Sequence, residues 1–176
     1  MNLYLRLLAM FLSVRWKGAV PPLAEFRSSH LVWPNDLDLL GHMNNGRYFT
    51  ITDPVRIEML IRAGVWAVLR RQGLHPVLAG ETIQFRRALK PFQRYELRTR
   101  TLGWDEKFFY VEHRFMRGET VHALALVKVR LVGAGRPKPI DILRQVDPTA
   151  PEVNMVGVIE KWNASSDEHW AELHAA

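Results

Sequence analysis

The sequence predicts an α+β domain in which one long helix packs against an antiparallel sheet. Three observations predict it. A helix-period run starts at Asn45 and extends to about Arg71, four strand-like runs follow it with no second helix between them, and one strand-like run precedes it. At 176 residues the chain has the length of one domain with a substantial core. Its expected organisation is an N-terminal amphipathic segment at residues 1–22, the helix-and-sheet domain at 23–135, and a C-terminal linker and helix at 136–176.

Each element can be justified in order. In "MNLYLRLLAMFLSVRWKG", Leu3, Leu7, Met10, Phe11 and Val14 recur at helical spacing, and Arg15 and Lys17 follow. The apolar stretch is too short to span a bilayer. It reads as a helix docked on its own domain, with peripheral membrane contact through residues 1–15 as one alternative and an export signal or membrane anchor as another. After "GAVPP", the run "LAEFRSSHLVWP" reads as a strand ended by Pro34. From Asn45, residues Tyr48, Ile51, Val55 and Met59 share one helical face, while Pro54 and Gly64 predict a kink or a division into two pieces. Asp53 and Arg56, three apart, are placed to pair. The strands come next: "VLAGETIQFRRAL", "YELRTRTLGW", "KFFYVEHRFMR" and "VHALALVKVRLVG" are separated by turns at Lys90-Pro91, Asp105-Glu106 and Gly118-Glu119. "GAGRPKPID" reads as a linker, and Val156, Ile159, Trp162 and Ala164 as the face of a last helix. A sheet covered by one helix leaves a face and its edges open, which predicts a homodimer or a dimer of dimers.

Composition narrows the function. The chain has no cysteine, so disulfides, zinc–thiolate centres and cysteine nucleophiles are all excluded; this is compatible with a reducing, cytoplasmic setting. The net charge of +6 favours anionic partners. Nucleic acid is not expected, because no RNP-like, zinc-finger or basic-zipper pattern accompanies the charge.

The chemistry concentrates in "WPNDLDLLGHMNNGRYF", Trp33 to Phe49, between the first strand and the helix. N–H groups in a first helical turn lack internal acceptors and can stabilise a developing oxyanion. A carboxylate beside them, such as Asp38, can act as base or nucleophile, and His42 can orient it or shuttle a proton. Plainer roles stand beside these: Asp36 and Asp38 as turn or capping residues, His42 as a structural histidine, Asn44 as the helix N-cap. Asp36, Asp38 and His42 have no second cluster to complete a metal shell, so no metal is expected.

Three segments carry a family resemblance: "PNDLDLLGHMNNGRY" (Pro34 to Tyr48), "RAGV" (Arg62 to Val65) and "RTRTLGWDEKFFYVEHRF" (Arg98 to Phe115). Over Leu3 to Val132 the chain resembles the 4-hydroxybenzoyl-CoA thioesterase branch of the hotdog-fold superfamily, in particular the subgroup around thioesterase superfamily member 6 and its bacterial relatives. The resemblance implies a hotdog fold with active sites at a dimer interface. It also implies an acyl-CoA thioesterase that needs no cofactor, coenzyme A being part of the substrate. Asp38 would be base or nucleophile, and the Asn45 amide would polarise the thioester carbonyl. The plant acyl-carrier-protein thioesterases, a related branch, support Asp38 and His42. Where that branch has an asparagine and a later acid, this chain has Leu40 and Gln84. Gln84 and Thr82 are expected to line the pocket from the partner side. Arg86, Arg87 and Lys90 are expected to meet the phosphates of coenzyme A, with an ordinary solvated strand edge as the alternative. Two other functions compete. One is a non-catalytic acyl-CoA or lipid binder. The other is an enoyl-CoA hydratase, disfavoured because Asp38 and His42 are four apart without an intervening Asn-Pro.

Overall fold

A computed structural model of the chain describes residues 3–133, 135, 137–152 and 157–175. Helix α1 (Leu3–Val14) leads to strand β1 (Phe26–Leu31), a 3-10 turn at Pro34–Asp36, helix α2 (Asn45–Arg62) and helix α3 (Val65–Arg71). Strands β2 (His75–Phe85), β3 (Arg94–Trp104), β4 (Phe108–Arg117) and β5 (Thr120–Val132) follow, then helices α4 (Pro139–Leu143) and α5 (Gly157–Ala175). The five strands form one antiparallel sheet in the order β1-β3-β4-β5-β2, which makes β1 and β2 its edges.

The expected packing face of α2 is the one buried. Tyr48, Ile51, Val55 and Met59 lie against Leu97, Val111, Phe115, Ala123 and Val127 of the sheet. Ala123, Ala125 and Val127 alternate along β5 and are fully covered; two of them are small side chains, which allow a helix to approach closely. The long helix divides at Gly64, not at Pro54. Pro54 sits inside α2, whereas Gly64 has φ +75 and α3 starts after it. A left-handed residue cannot continue a right-handed helix, and glycine takes that conformation without a Cβ clash.

Two further differences concern the ends. The "GAGRPKPID" stretch, read as linker, contains the start of α4, whose Ile140 and Leu143 cover the fully buried Trp104. Of the face predicted for the last helix, Ile159 is buried and Val156 lies outside the described residues. Helix α1 does dock on α2, but not by its whole apolar face. Met10 is buried and Leu7 lines an apolar pocket, yet Phe11 is exposed along with Tyr4, Leu5, Leu8 and Leu12. Arg6 makes the inward contact: it pairs with Asp36, at 8% and 1% side-chain exposure. Lys17 adds an ion pair to Glu58 at 2.8 Å. No helix among the described residues is long and apolar enough to cross a membrane.

Candidate active site

Between the 3-10 turn and α2 the chain folds into a small hairpin. Leu37 and Met43 form an isolated antiparallel bridge, Asp38 N–H donates to the His42 carbonyl at 2.9 Å, and Gly41 N–H to the Asp38 carbonyl at 3.1 Å. Gly41 has φ +74, the backbone sense this reversal needs. The Asp38 side chain is part of the turn. Its Oδ1 accepts from Leu40 N–H at 2.9 Å and from His42 N–H at 3.4 Å. Its Oδ2 accepts no hydrogen bond from the described residues. The group is half-buried, and its charge bears on the Tyr48 hydroxyl, whose pKa is raised by burial first, then by Asp38. Asp38 is thus both a turn residue and a carboxylate with one oxygen left over.

Asn44 is the N-cap of α2, its Oδ1 accepting from Gly46 N–H at 2.9 Å. Asn45 opens the helix, so its amide has no acceptor within it, and none of the turn or cap hydrogen bonds uses it. His42 is half-buried beside Asp38 through the backbone pairing. The hairpin therefore brings Asp38, His42 and the start of α2 into one locality. It is docked on the strand exit after β2, where Met43 N–H donates to the Leu89 carbonyl at 2.8 Å.

Asp36, read as a turn residue, does sit in the 3-10 turn and is also the buried anchor of this region. Besides Arg6, its Oδ2 accepts from Trp33 N–H at 3.0 Å, its backbone carbonyl accepts from Asn44 N–H at 2.8 Å, and Arg47 stands 3.8 Å from Oδ1. Arg6 was the missing signal: a cation inside an apolar helical pattern implies a buried anion for it to meet.

Gln84 and Thr82 lie exposed on the edge strand β2, paired with Leu124 and Leu126 of β5. Neither they nor Asp38, His42 and Asn45 line the apolar pocket that opens at the exposed Val77 and Leu78 of β2. That pocket, about 490 Å³, lies between the C-terminal half of α2 and the sheet, with Trp66, Phe109, Val129 and Leu131 in its wall. Its charged lining is Asp53 with Arg56, paired as the spacing predicted. Arg56 also donates to Thr52 Oγ1 at 2.8 Å and stands 3.3 Å from Nε2 of the fully buried His113. A guanidinium only donates, so Nε2 is the acceptor and Nδ1–H donates to Thr99 Oγ1 at 2.8 Å. Burial first and Arg56 second hold the His113 pKa well below that of a free imidazole. Sequence reasoning missed His113, which falls within a regular strand pattern.

Of the three cations expected to meet phosphates, Arg87 lines a second, open cleft of about 480 Å³; Arg86 and Lys90 do not. The cleft is completed by Arg94 and Arg117, which the sequence did not single out, with Thr120 and His122.

Comparison with known proteins agrees with this architecture. The family model described as the thioesterase-like superfamily matches residues 32–151. Protein THEM6 of Xenopus laevis is 36% identical over 151 residues, covering 83% of this chain and 72% of that protein. A probable thioesterase of Saccharomyces cerevisiae is 32% identical over 117 residues, 62% of this chain and 50% of that one. Among solved structures, a 1,4-dihydroxy-2-naphthoyl-CoA thioesterase from Synechocystis superposes with a TM-score of 0.59 at 13% identity, over 73% of this chain and all of that one.

Proposed function

We propose, from the premise that this chain belongs to the thioesterase-like superfamily and is a hotdog-fold thioester hydrolase, that Asp38 and the N-terminus of α2 carry out hydrolysis of an acyl-CoA. One observation carries the reading: the hairpin holds a half-buried carboxylate with an uncommitted oxygen just ahead of a helix whose first amide is open. In the proposed reaction the thioester carbonyl oxygen accepts from the Asn45 N–H. Negative charge building on that oxygen is stabilised by the amide and by the positive end of the helix dipole. Asp38 Oδ2 takes a proton from water as the water oxygen bonds to the carbonyl carbon. The carbon–sulfur bond then breaks, and the coenzyme A thiolate leaves without strong acid assistance. Direct attack by Asp38, giving a mixed anhydride that water then opens, uses the same atoms. His42, beside Asp38, orients the carboxylate or the incoming carbonyl.

A second copy of the chain completes the site in this reading. Leu39 and Leu40, at the hairpin tip, are 105% and 78% exposed, and the nearby end of edge strand β2 exposes Phe85. Two adjacent apolar surfaces, one of them an unpaired strand edge, suit a twin subunit. Gln84 and Thr82 would then face the partner's Asp38 hairpin across that interface.

The test is release of free thiol from a panel of short, medium, long and aromatic acyl-CoA thioesters. Asp38→Asn is expected to lower kcat at least a hundredfold with an unchanged circular dichroism spectrum. Near-normal turnover in that variant removes Asp38 from the mechanism. Calorimetric binding of acyl-CoA by the wild type with no thiol release would favour a binding protein that kept the pocket, with Leu40 and Gln84 as its departures from the catalytic pattern.

A further inference from the structure

Three arginines converge at one end of the sheet. Arg94 starts β3, Arg117 ends β4 at the Gly118-Glu119 turn, and Arg87 lies two residues past the end of β2. The register brings them together. Glu96 pairs with Met116 and Arg117 with Thr120, while the N–H groups of Arg86 and Arg87 donate to the His122 carbonyl at 2.8 and 3.0 Å. The cleft they line, about 480 Å³ with Gly118, Thr120 and His122, has no carboxylate in its wall. Among the described residues, Arg87, Arg94 and Arg117 form no ion pair. Most other arginines of the sheet are paired: Arg98 with Glu96, Arg100 with Glu112, Arg114 with Glu25. All three are exposed in an open cleft without a counter-charge, an arrangement that attracts an anion from outside the chain. Planar guanidinium forks converging from two strands and the segment after β2 suit the oxygens of phosphate groups.

The cleft lies close along the chain to the candidate active site. Residues 86–90 form a short bridge between them. Its first part lies on the cleft through Arg87, and Leu89 accepts the Met43 N–H next to the Asp38 hairpin. A ligand with phosphates at one end and a thioester at the other, joined by an extended arm, would run along this bridge.

We infer that the Arg87–Arg94–Arg117 cleft is the binding site for the phosphate groups of coenzyme A. This rests on the acyl-CoA reading of the Asp38 site and replaces Arg86 and Lys90 with Arg94 and Arg117 as the phosphate-binding pair beside Arg87. The test measures coenzyme A, dephospho-coenzyme A, pantetheine and inorganic phosphate by calorimetry on the full chain, wild type and Arg94→Gln/Arg117→Gln. Coenzyme A is expected to bind the double variant at least tenfold more weakly, and pantetheine within twofold of wild type. Arg94→Lys/Arg117→Lys should recover part of the loss, because charge returns without the planar fork. In turnover, the ratio of kcat/KM for acyl-CoA to that for the matching acyl-pantetheine should fall at least tenfold in the Gln variant. Coenzyme A binding within twofold of wild type in that variant, or no binding to the wild type, overturns the assignment. Tight binding of inorganic phosphate with none of coenzyme A would make the cleft a free-anion site and overturns it too. Failure of the hydrolase reading looks different: no thiol from either thioester, while the calorimetric comparison still decides the cleft.

Discussion

At the scale of single residues, the Arg6–Asp36 pair best illustrates how structure alters the reading of a sequence. Arg6 interrupts an apolar helix and Asp36 sits in a turn-rich stretch, so each has an ordinary local explanation. Together they form a buried ion pair between α1 and the segment that leads into the Asp38 hairpin. Removing one partner leaves the other charged and covered, which costs about 3–5 kcal/mol. Arg6→Ala is therefore expected to lower the denaturant midpoint strongly, and Arg6→Leu/Asp36→Leu to lower it less than the single change. Equal losses in the two would mean the pair is not energetically coupled. Asp38, Asn44 and the Asp53–Arg56 pair could be picked out from the sequence because their partners lie within four residues. Asp36, His113, Arg94 and Arg117 could not. Their partners or cleft neighbours lie 14 or more residues away, or on other strands.

At the scale of elements, period and punctuation were legible. All five strands are where alternation and turn residues put them, except that β2 starts two residues before the expected Val77 and ends four before Leu89, and the helical run is present in two pieces. The helix break needed a choice between Pro54 and Gly64, and backbone conformation made it. A Cβ at Gly64 would meet only Val146 Cγ1 at 3.7 Å, an ordinary contact, so the site has room for alanine but demands a left-handed backbone. Gly64→Ala is accordingly expected to destabilise the protein by about 1–2 kcal/mol through conformation alone. An unchanged thermal midpoint would show that the turn can relax. Helix α4 has no signature in local sequence, because its short apolar stretch, Pro139 to Leu143, adjoins a Gly/Pro-rich segment and owes its order to burying Trp104. Helix α1 was recognised as a helix, but which side faces inward depended on Asp36, and Trp16 just beyond it is 90% exposed.

At the scale of the whole molecule, the proposed site sits beside an open sheet edge and an exposed apolar hairpin tip, apart from the apolar pocket lined by Asp53 and Arg56. Sedimentation is expected to give a mass of twice the 20.4 kDa chain or a multiple of that pair. Specific activity should fall on dilution below the dissociation constant. A monomer with full turnover would rule out a site shared between subunits. What the sequence determined by itself is everything set by nearest neighbours along the chain: the α+β order, the packing face of α2, the N-cap, and the polar loop ahead of the helix. Only the tertiary structure decided that Asp36 is an anchor, that α1 turns an arginine inward, and that Arg87, Arg94 and Arg117 share a cleft. The physical reason is that local propensities act over one or two turns of chain, whereas charge pairing and burial depend on which distant strands the sheet sets side by side.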